Sequence, residues 1–99
     1  MIPPYTLRFL ATFKTSYQNL IKDQEEKEKR ARKALRLLEQ DPFYKSLKSH
    51  KVNTRNFGER WSSWITGDLR IIWDFDPRQQ KRIIIYAIGA HSGKHREYK

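Results

Sequence analysis

The side chains of this sequence that could carry chemistry are three histidines and many lysines and arginines, with few carboxylates near them. His50 lies in a basic stretch, and His91 and His95 lie in a polar C-terminal segment. Histidine can accept or donate a proton near neutral pH, and arginine offers two donors to phosphate oxygens. A glycosidase or protease would need carboxylates or an activated nucleophile. The set suits metal-free RNA cleavage, in which the ribose 2′-OH attacks the adjacent phosphate.

Two other kinds of site are disfavoured by the same C-terminal residues. The run 89–94 resembles a phosphate-binding loop, but its spacing differs, no Ser or Thr follows Lys94 and no helix is expected behind it. His91 and His95 are four residues apart, like metal ligands on a helix. Gly93 lies between them, however, and neither a carboxylate motif nor a cysteine accompanies them. We therefore predict neither a metal nor a cofactor.

The charge of the chain indicates its class of partner. Lysine and arginine number 21 against 11 acidic residues, a net charge of +10 on 99 residues. Such an excess suits a polyanion, such as nucleic acid, or an acidic protein. The length predicts one domain spanning 1–99. The absence of cysteine, of a signal-like start and of a long apolar run predicts a soluble cytoplasmic protein that does not interact with a membrane.

The first half of the chain predicts a strand followed by helices. Apolar and polar residues alternate over Tyr5–Phe13, which predicts a first strand. Thr15–Gln18 resembles a capping box, so a helical segment is expected over 15–40. Its middle is almost wholly charged, and a bend near Lys22–Glu25 would let both apolar ends pack on one sheet. Pro42 should stop the second helix.

The second half predicts a short helical turn, a long basic loop up to Arg60 and then three strands. The strand signals cover Trp61–Thr66, Leu69–Phe75 and Arg82–Ile88, and Gly67-Asp68 forms a turn between the first two. The expected fold is α+β, with the order β-α-α-β-β-β. It consists of one mostly antiparallel sheet, including a three-stranded antiparallel run, with the helices on one face.

Each candidate residue also has a simpler interpretation. By alternation Arg70 lies opposite the apolar face of its strand, where a solvent-facing charge is common. His50 could be an ordinary loop residue, and Tyr98 could belong to a frayed terminus. Trp61 and Trp64 have opposite parity, so one should be core and the other exposed, where it could stack on a base.

Taken together, these segments resemble the RelE/ParE superfamily of bacterial toxin–antitoxin toxins over essentially the whole chain. The resemblance is closer to the mRNA-cutting, YafQ-like branch than to the gyrase-poisoning ParE branch. The segments that carry it are Leu35-x-x-Leu38, Leu47-x-x-His50-x-Val52, the run Gly67-Asp68-Leu69-Arg70-Ile71-Ile72-Trp73 and the close Ile88-Gly89-Ala90-His91-Ser92 with a terminal aromatic.

The resemblance implies a metal-independent endoribonuclease that cuts mRNA in the ribosomal A site and is neutralised by an antitoxin. Two departures from the YafQ-like pattern concern the site: Trp64 stands where another catalytic histidine would be, and the tail after His91 is longer. The residues that match the family pattern are His50, His91, Arg70 and Tyr98, and Asp68 matches an acid of the pattern. We predict His50 and His91 as the proton-transfer pair, His95 as a substitute, and Arg70 and Lys94 as the cations that stabilise the phosphate. We also predict contacts with the RNA backbone by Lys48, Lys51, Arg55 and Arg60, and stacking on a base by Trp64.

Two other functions remain open at this point. A protein of the same fold could inhibit DNA gyrase, in which case His50 and His91 would be dispensable for toxicity. A non-catalytic RNA-binding module, or a decayed toxin, would bind RNA in a salt-sensitive way without cutting it.

Overall fold

The computed structural model describes residues 2–90, which form two helices, one short 3-10 turn and five strands. In chain order these elements are β1 (Thr6–Phe9), α1 (Ala11–Leu20), α2 (Glu25–Gln40), the 3-10 turn (Lys45–Leu47), β2 (His50–Thr54), β3 (Gly58–Trp64), β4 (Leu69–Phe75) and β5 (Arg82–Ala90).

The five strands form one sheet in the order β1-β5-β4-β3-β2. The β1–β5 pair is parallel, and the other pairs are antiparallel. The expected α+β class, with one mostly antiparallel sheet, is therefore confirmed. The expected three-stranded antiparallel run was too short, because β2 adds a fourth antiparallel strand at the edge.

The core lies between the two helices and one face of the sheet, as the alternation predicted. In β4, Leu69, Ile71 and Trp73 face the helices and pack with alternate residues of β5. Between Ile72 and Trp73 the register shifts, which leaves Tyr86 as an extra residue in β5. From the helices, the buried residues are Phe13, Ile21, Ala31, Ala34 and Leu38.

The prediction of a first strand up to Phe13 and of a capping box at Thr15 was wrong. The strand ends at Phe9, and the helix already begins at Ala11 without a side-chain cap. The Thr12 hydroxyl donates to a β5 carbonyl at 2.6 Å, and the Ser16 hydroxyl accepts a β5 N–H at 2.8 Å. These contacts with a distant strand hold 11–13 as helix, although the local alternation is equally compatible with a strand.

The predicted bend between two helices is confirmed. The helices are separated by residues 21–24, where Asp23 has φ of +66° and the Gln24 N–H donates to the Ile21 carbonyl at 3.0 Å. Ile21 is fully buried and fixes the end of α1 on the core. The second helix ends at Gln40, before Pro42 as predicted. Neither helix within 2–90 is both long and apolar enough to cross a membrane.

The predicted long basic loop was wrong, because 50–60 forms a hairpin of β2 and the start of β3. The Thr54 hydroxyl closes its turn by accepting the Phe57 N–H at 2.9 Å and donating to the Gly58 carbonyl at 2.8 Å. Two strand limits also differ, since β3 begins at Gly58 rather than Trp61 and β5 continues past Gly89. An edge strand such as β2 carries polar residues on both faces, so its sequence shows little periodicity.

Candidate nucleic-acid interface

Within residues 2–90, the face of the sheet opposite the helices carries most of the predicted site residues, and we call it the open face. It is defined here by His50, Arg60, Trp64, Arg70 and Tyr86. Within β3, residues two apart point to the same face. The register pairs His50 with Ser62 and Trp64 with Arg70, which places side chains of three strands on this face.

Two cations flank the indole of Trp64. The Lys48 ammonium lies 4.0 Å from the ring centroid, and the Arg70 guanidinium carbon lies 4.3 Å from it. Lys48 reaches this position from a left-handed backbone conformation, with φ of +49°, just before β2. The two cations would repel each other strongly if both lay on the same side of the ring. We therefore assign them to opposite sides. A base could stack on Trp64 only by displacing one of them.

Arg70 is not the solvent-facing charge that alternation favoured, although it lies on the predicted face. The residue is only 4% exposed. One guanidinium nitrogen donates to the Thr66 carbonyl at 2.7 Å and to the Leu69 carbonyl at 3.1 Å. The rest of the group lies against Trp64. Arg70 therefore fastens the turn between β3 and β4 and also places a buried positive charge beneath the open face.

His50 begins β2 and is exposed. Its Nδ1 lies 2.9 Å from the Lys48 carbonyl oxygen. A carbonyl can only accept a hydrogen bond, so this contact requires the proton to be on Nδ1. In the neutral ring Nε2 then carries the lone pair. The geometry prepares His50 to accept a proton at Nε2 next to the Lys48–Trp64–Arg70 cluster.

Arg60 belongs to a second cluster on the open face. It donates to the Asp74 carboxylate at 3.0 Å and to the Phe57 carbonyl at 3.0 Å, and its guanidinium carbon lies 4.7 Å from the centroid of the Tyr86 ring. The Phe57 and Tyr86 rings are 5.3 Å apart. Asp74 neutralises much of this cation, which leaves Arg60 a weaker phosphate ligand than Lys48.

Sequence reasoning did not select Tyr86 or Asp74. A tyrosine inside the isoleucine-rich run of β5 was the available signal for Tyr86. Tyr86 lies on the open face because the register between β4 and β5 shifts opposite Ile72 and Trp73. The alternation of apolar and polar residues in the sequence cannot reveal such a shift. The pairing of Asp74 with Arg60 depends on the register between β3 and β4.

Of the remaining predicted residues, Lys51 and Arg55 are the two that the structure describes. Lys51 points to the opposite side of the sheet, where its ammonium lies 5.2 Å from the centroid of the Trp61 ring. Trp61 packs against the core by stacking on Trp73, with 5.8 Å between the ring centroids, as expected for one of the two tryptophans. Arg55 is exposed in the β2–β3 turn. His91, Lys94, His95 and Tyr98 lie outside the described residues.

The described part of the open face can bind anions and accept a proton. Lys48 is exposed, and it forms no ion pair with any other residue in 2–90. Residues 2–90 contain no cluster of three or more metal-ligating His, Cys, Asp or Glu side chains. The last residue of β5, Ala90, pairs with Leu69, which directly precedes Arg70. The described end of β5 therefore lies beside the start of the strand that carries Arg70.

Comparison with solved structures defines the class of fold. The RelE–RelB complex of the archaeon Pyrococcus horikoshii contains a chain with a TM-score of 0.67 and 18% identity, over 90% of this chain and 97% of that one. The YoeB/ParE toxin of Agrobacterium tumefaciens has a TM-score of 0.66 and 15% identity, over 88% and 99% respectively. No protein-family model and no curated protein matches the sequence.

The chain therefore has the fold of the RelE/ParE toxin superfamily, as the resemblance in sequence predicted. The YafQ-like branch is represented among the similar structures. YafQ from E. coli has a TM-score of 0.61 and 14% identity, over 87% of this chain and 92% of that one.

Proposed function

We propose that the protein is the toxin of a type II toxin–antitoxin system and an endoribonuclease that cuts mRNA on the ribosome, in the cytoplasm and without a metal. The observation that carries the proposal is the open face of the RelE-like sheet. There an exposed histidine, whose Nδ1 is held by the Lys48 carbonyl and whose Nε2 can accept a proton, shares the face with an exposed lysine and a buried arginine that both contact Trp64.

The proposed reaction transfers the 2′-OH proton to a histidine while the 2′-oxygen attacks the adjacent phosphorus. The bond to the 5′-oxygen then breaks, and a second histidine protonates the leaving oxygen. His50 and His91 form the proposed pair, with His95 as the substitute for His91. Which of them is the base and which the acid stays open. Lys94 is proposed to stabilise the phosphorane, and Tyr98 to position a base.

The structure refines the proposed roles of the residues it describes. Lys48 is exposed and suits direct contact with a phosphate, whereas Arg70 is too buried for that and acts through its charge. Trp64 lies between these two cations, which makes it a positioning residue rather than a stacking platform. Arg55 and the partly neutralised Arg60 would contribute to RNA binding near the hairpin.

Mapping of mRNA 5′ ends during expression tests the proposal. Cells expressing the wild-type chain should show cuts within translated messages. These cuts should disappear with His91→Ala and decrease strongly with His50→Ala. Lys14→Ala, a change of an exposed cation on α1, serves as a control and should leave them unchanged. Persistence of every cut in both histidine variants would refute the proposed proton-transfer pair.

The same cells distinguish the two alternatives. A gyrase inhibitor would leave mRNA intact and alter DNA supercoiling, with His50 and His91 dispensable. A non-catalytic module would bind purified RNA with an affinity that falls steeply with salt, but no new 5′ ends would appear. Repeating the mapping in translation-arrested cells shows whether the ribosome is needed.

A further inference from the structure

Four aromatic rings follow one another across the helix side of the sheet, near the end of α2. In order they belong to Tyr5, Phe75, Phe43 and Trp61, and we call them the aromatic row. Successive ring centroids are 6.2, 6.1 and 4.9 Å apart. A lysine lies at each end of the row. The Lys81 ammonium is 5.7 Å from the centroid of the Tyr5 ring, and the Lys51 ammonium is 5.2 Å from that of Trp61.

The middle of the row is exposed because the helices do not cover this end of the sheet. The second helix ends at Gln40. In β4, Trp73 is fully buried, whereas Phe75, the next residue on the same face, is 37% exposed. Phe43 lies over Trp73, with 6.1 Å between the ring centroids, and is itself 50% exposed. Two large apolar rings therefore stand side by side in solvent, as in a binding surface.

The lysines at the ends of the row are available to bind an anion. Lys51 and Lys81 are both exposed, and neither forms an ion pair within the described part of the chain. Lys81 has φ of +63°, a left-handed conformation that is uncommon outside glycine, and its carbonyl accepts the Thr6 N–H at 2.8 Å. The row thus combines exposed π faces with a positive charge at either end.

We propose that the aromatic row binds a single strand of RNA. Bases would stack on the exposed rings of Phe43 and Phe75, and phosphates would contact Lys51 and Lys81. Every base has a π face, so the site should show little sequence preference. The row lies on the side of the sheet opposite His50 and is separate from the proposed cleavage site. The choice of RNA over single-stranded DNA rests on the proposed function, whereas the stacking and the phosphate contacts do not.

A protein partner fits the row less well. An aromatic side chain of this kind has about 200 Å² of surface, so Phe43 and Phe75 together expose on the order of 200 Å². A stable protein interface buries about 800 Å² on each partner. A second copy of this chain would also place lysines against lysines. A nucleic-acid strand needs only the rings for its bases, and it supplies the negative charge that the lysines lack.

The test measures binding of a fluorescein-labelled 2′-O-methyl RNA of about 8 nucleotides to the full-length protein by fluorescence anisotropy. The 2′-O-methyl group blocks the attacking oxygen, so the probe stays intact whether or not the protein is a nuclease. An abasic oligomer of the same length carries the same phosphates without the rings of the bases. At about 0.1 M salt the RNA probe should bind at least tenfold more tightly than the abasic oligomer.

Leucine variants locate the stacking, because leucine keeps an apolar side chain but has no π face. Phe43→Leu and Phe75→Leu should each weaken binding of the RNA probe about five- to tenfold. Phe9→Leu is the matched control, since Phe9 is 39% exposed but lies outside the row. It should change the affinity less than about twofold. The same losses should appear in a Lys48→Ala background, which removes the main cation of the open face.

Glutamine variants locate the phosphate contacts at positions where the fold should tolerate the change. Lys51→Gln and Lys81→Gln should each reduce the slope of log affinity against log salt by about 0.7, the value for one contact with a single strand. Lys14→Gln, at an exposed lysine on α1, should leave the slope unchanged. These variants also test the row if a leucine variant proves unstable in urea unfolding.

Four results would overturn the proposal. Equal binding of the abasic oligomer, or losses with Phe43→Leu and Phe75→Leu no larger than with Phe9→Leu, would exclude stacking on the row. Unchanged salt slopes with both lysine variants would exclude the phosphate contacts. A DNA of the same sequence that binds over tenfold more tightly would assign the row to single-stranded DNA. A wild-type dimer that Phe75→Leu converts to a monomer in sedimentation would assign it to a contact between copies. The mRNA mapping is independent, so failure of the nuclease proposal would leave these results intact.

Discussion

Replacing Arg70 by alanine should destabilise the fold by about 3 kcal/mol, because this buried guanidinium holds the turn between β3 and β4. Its bond to the Thr66 carbonyl is short, at 2.7 Å, and a hydrogen bond from a charged donor contributes about 1.5–3 kcal/mol. Its contact with Trp64, at 4.3 Å, adds about 0.5–2 kcal/mol. The Leu69 carbonyl also accepts the Ile65 and Thr66 N–H groups, so losing that bond should cost little.

One effect acts in the opposite direction. Burying a guanidinium costs solvation free energy, and that cost is recovered when the side chain is removed. The two contacts together contribute about 2–5 kcal/mol, and the recovered solvation lowers the net loss to about 2–4 kcal/mol. This loss corresponds to roughly 10–30 °C in Tm for a domain of this size. Arg70→Lys keeps a donor for the Thr66 carbonyl and should lose only about 1 kcal/mol.

Urea unfolding followed by tryptophan fluorescence measures these differences. Arg55→Ala is the matched control, since it removes an exposed arginine in a turn and should change the unfolding free energy by less than about 0.5 kcal/mol. Unfolding of Arg70→Ala at the wild-type urea concentration would contradict this prediction, as would an Arg70→Lys protein that is no more stable than Arg70→Ala. Either result would mean that the hydrogen bond and the ring contact do not stabilise the turn.

Three further predictions concern the rest of the molecule. Ser63→Ala removes the hydroxyl that accepts a hydrogen bond from the buried Trp73 indole N–H at 2.7 Å. The unfolding free energy measured in urea should fall by about 1–3 kcal/mol. An unchanged midpoint would mean that another acceptor replaces the hydroxyl. Gly58→Ala, at φ of +74°, should cost about 1–2 kcal/mol by thermal denaturation, and no loss would show that the turn relaxes. Burial, with a smaller effect of the Glu28 charge, raises the pKa of Tyr17 above its ordinary value of 10.0. The Tyr17 hydroxyl therefore ionises at a lower pH in the unfolded protein than in the folded one. The unfolding free energy should therefore fall as pH rises above 10, and Tyr17→Phe should reduce that fall; equal pH dependence in both proteins would contradict it.

Much of the fold followed from local patterns that the structure confirms. The strand Leu69–Phe75 has the predicted limits, because strict alternation on a central strand reflects one buried face. Pro42 marked the end of α2, since proline disfavours helix in the residue before it. The bend near Asp23 was predicted from the need to bury two apolar ends separated by a charged middle.

The local patterns failed where a distant segment decides the structure. Residues 11–13 alternate like a strand, yet their contacts with β5 hold them in α1. The edge strand β2 shows no clear period, because it owes its conformation to pairing with β3 rather than to a buried face of its own.

For the candidate site, the sequence by itself determined the chemistry available: imidazoles, an excess of cations and few acids. It also predicted the face on which Arg70 lies. Only the tertiary structure decided that Arg70 is buried, that Trp64 is flanked by two cations and that Lys51 points away from His50. The physical reason is that residue types depend on the chain alone, whereas neighbours and burial depend on strand register and on which surfaces pack together.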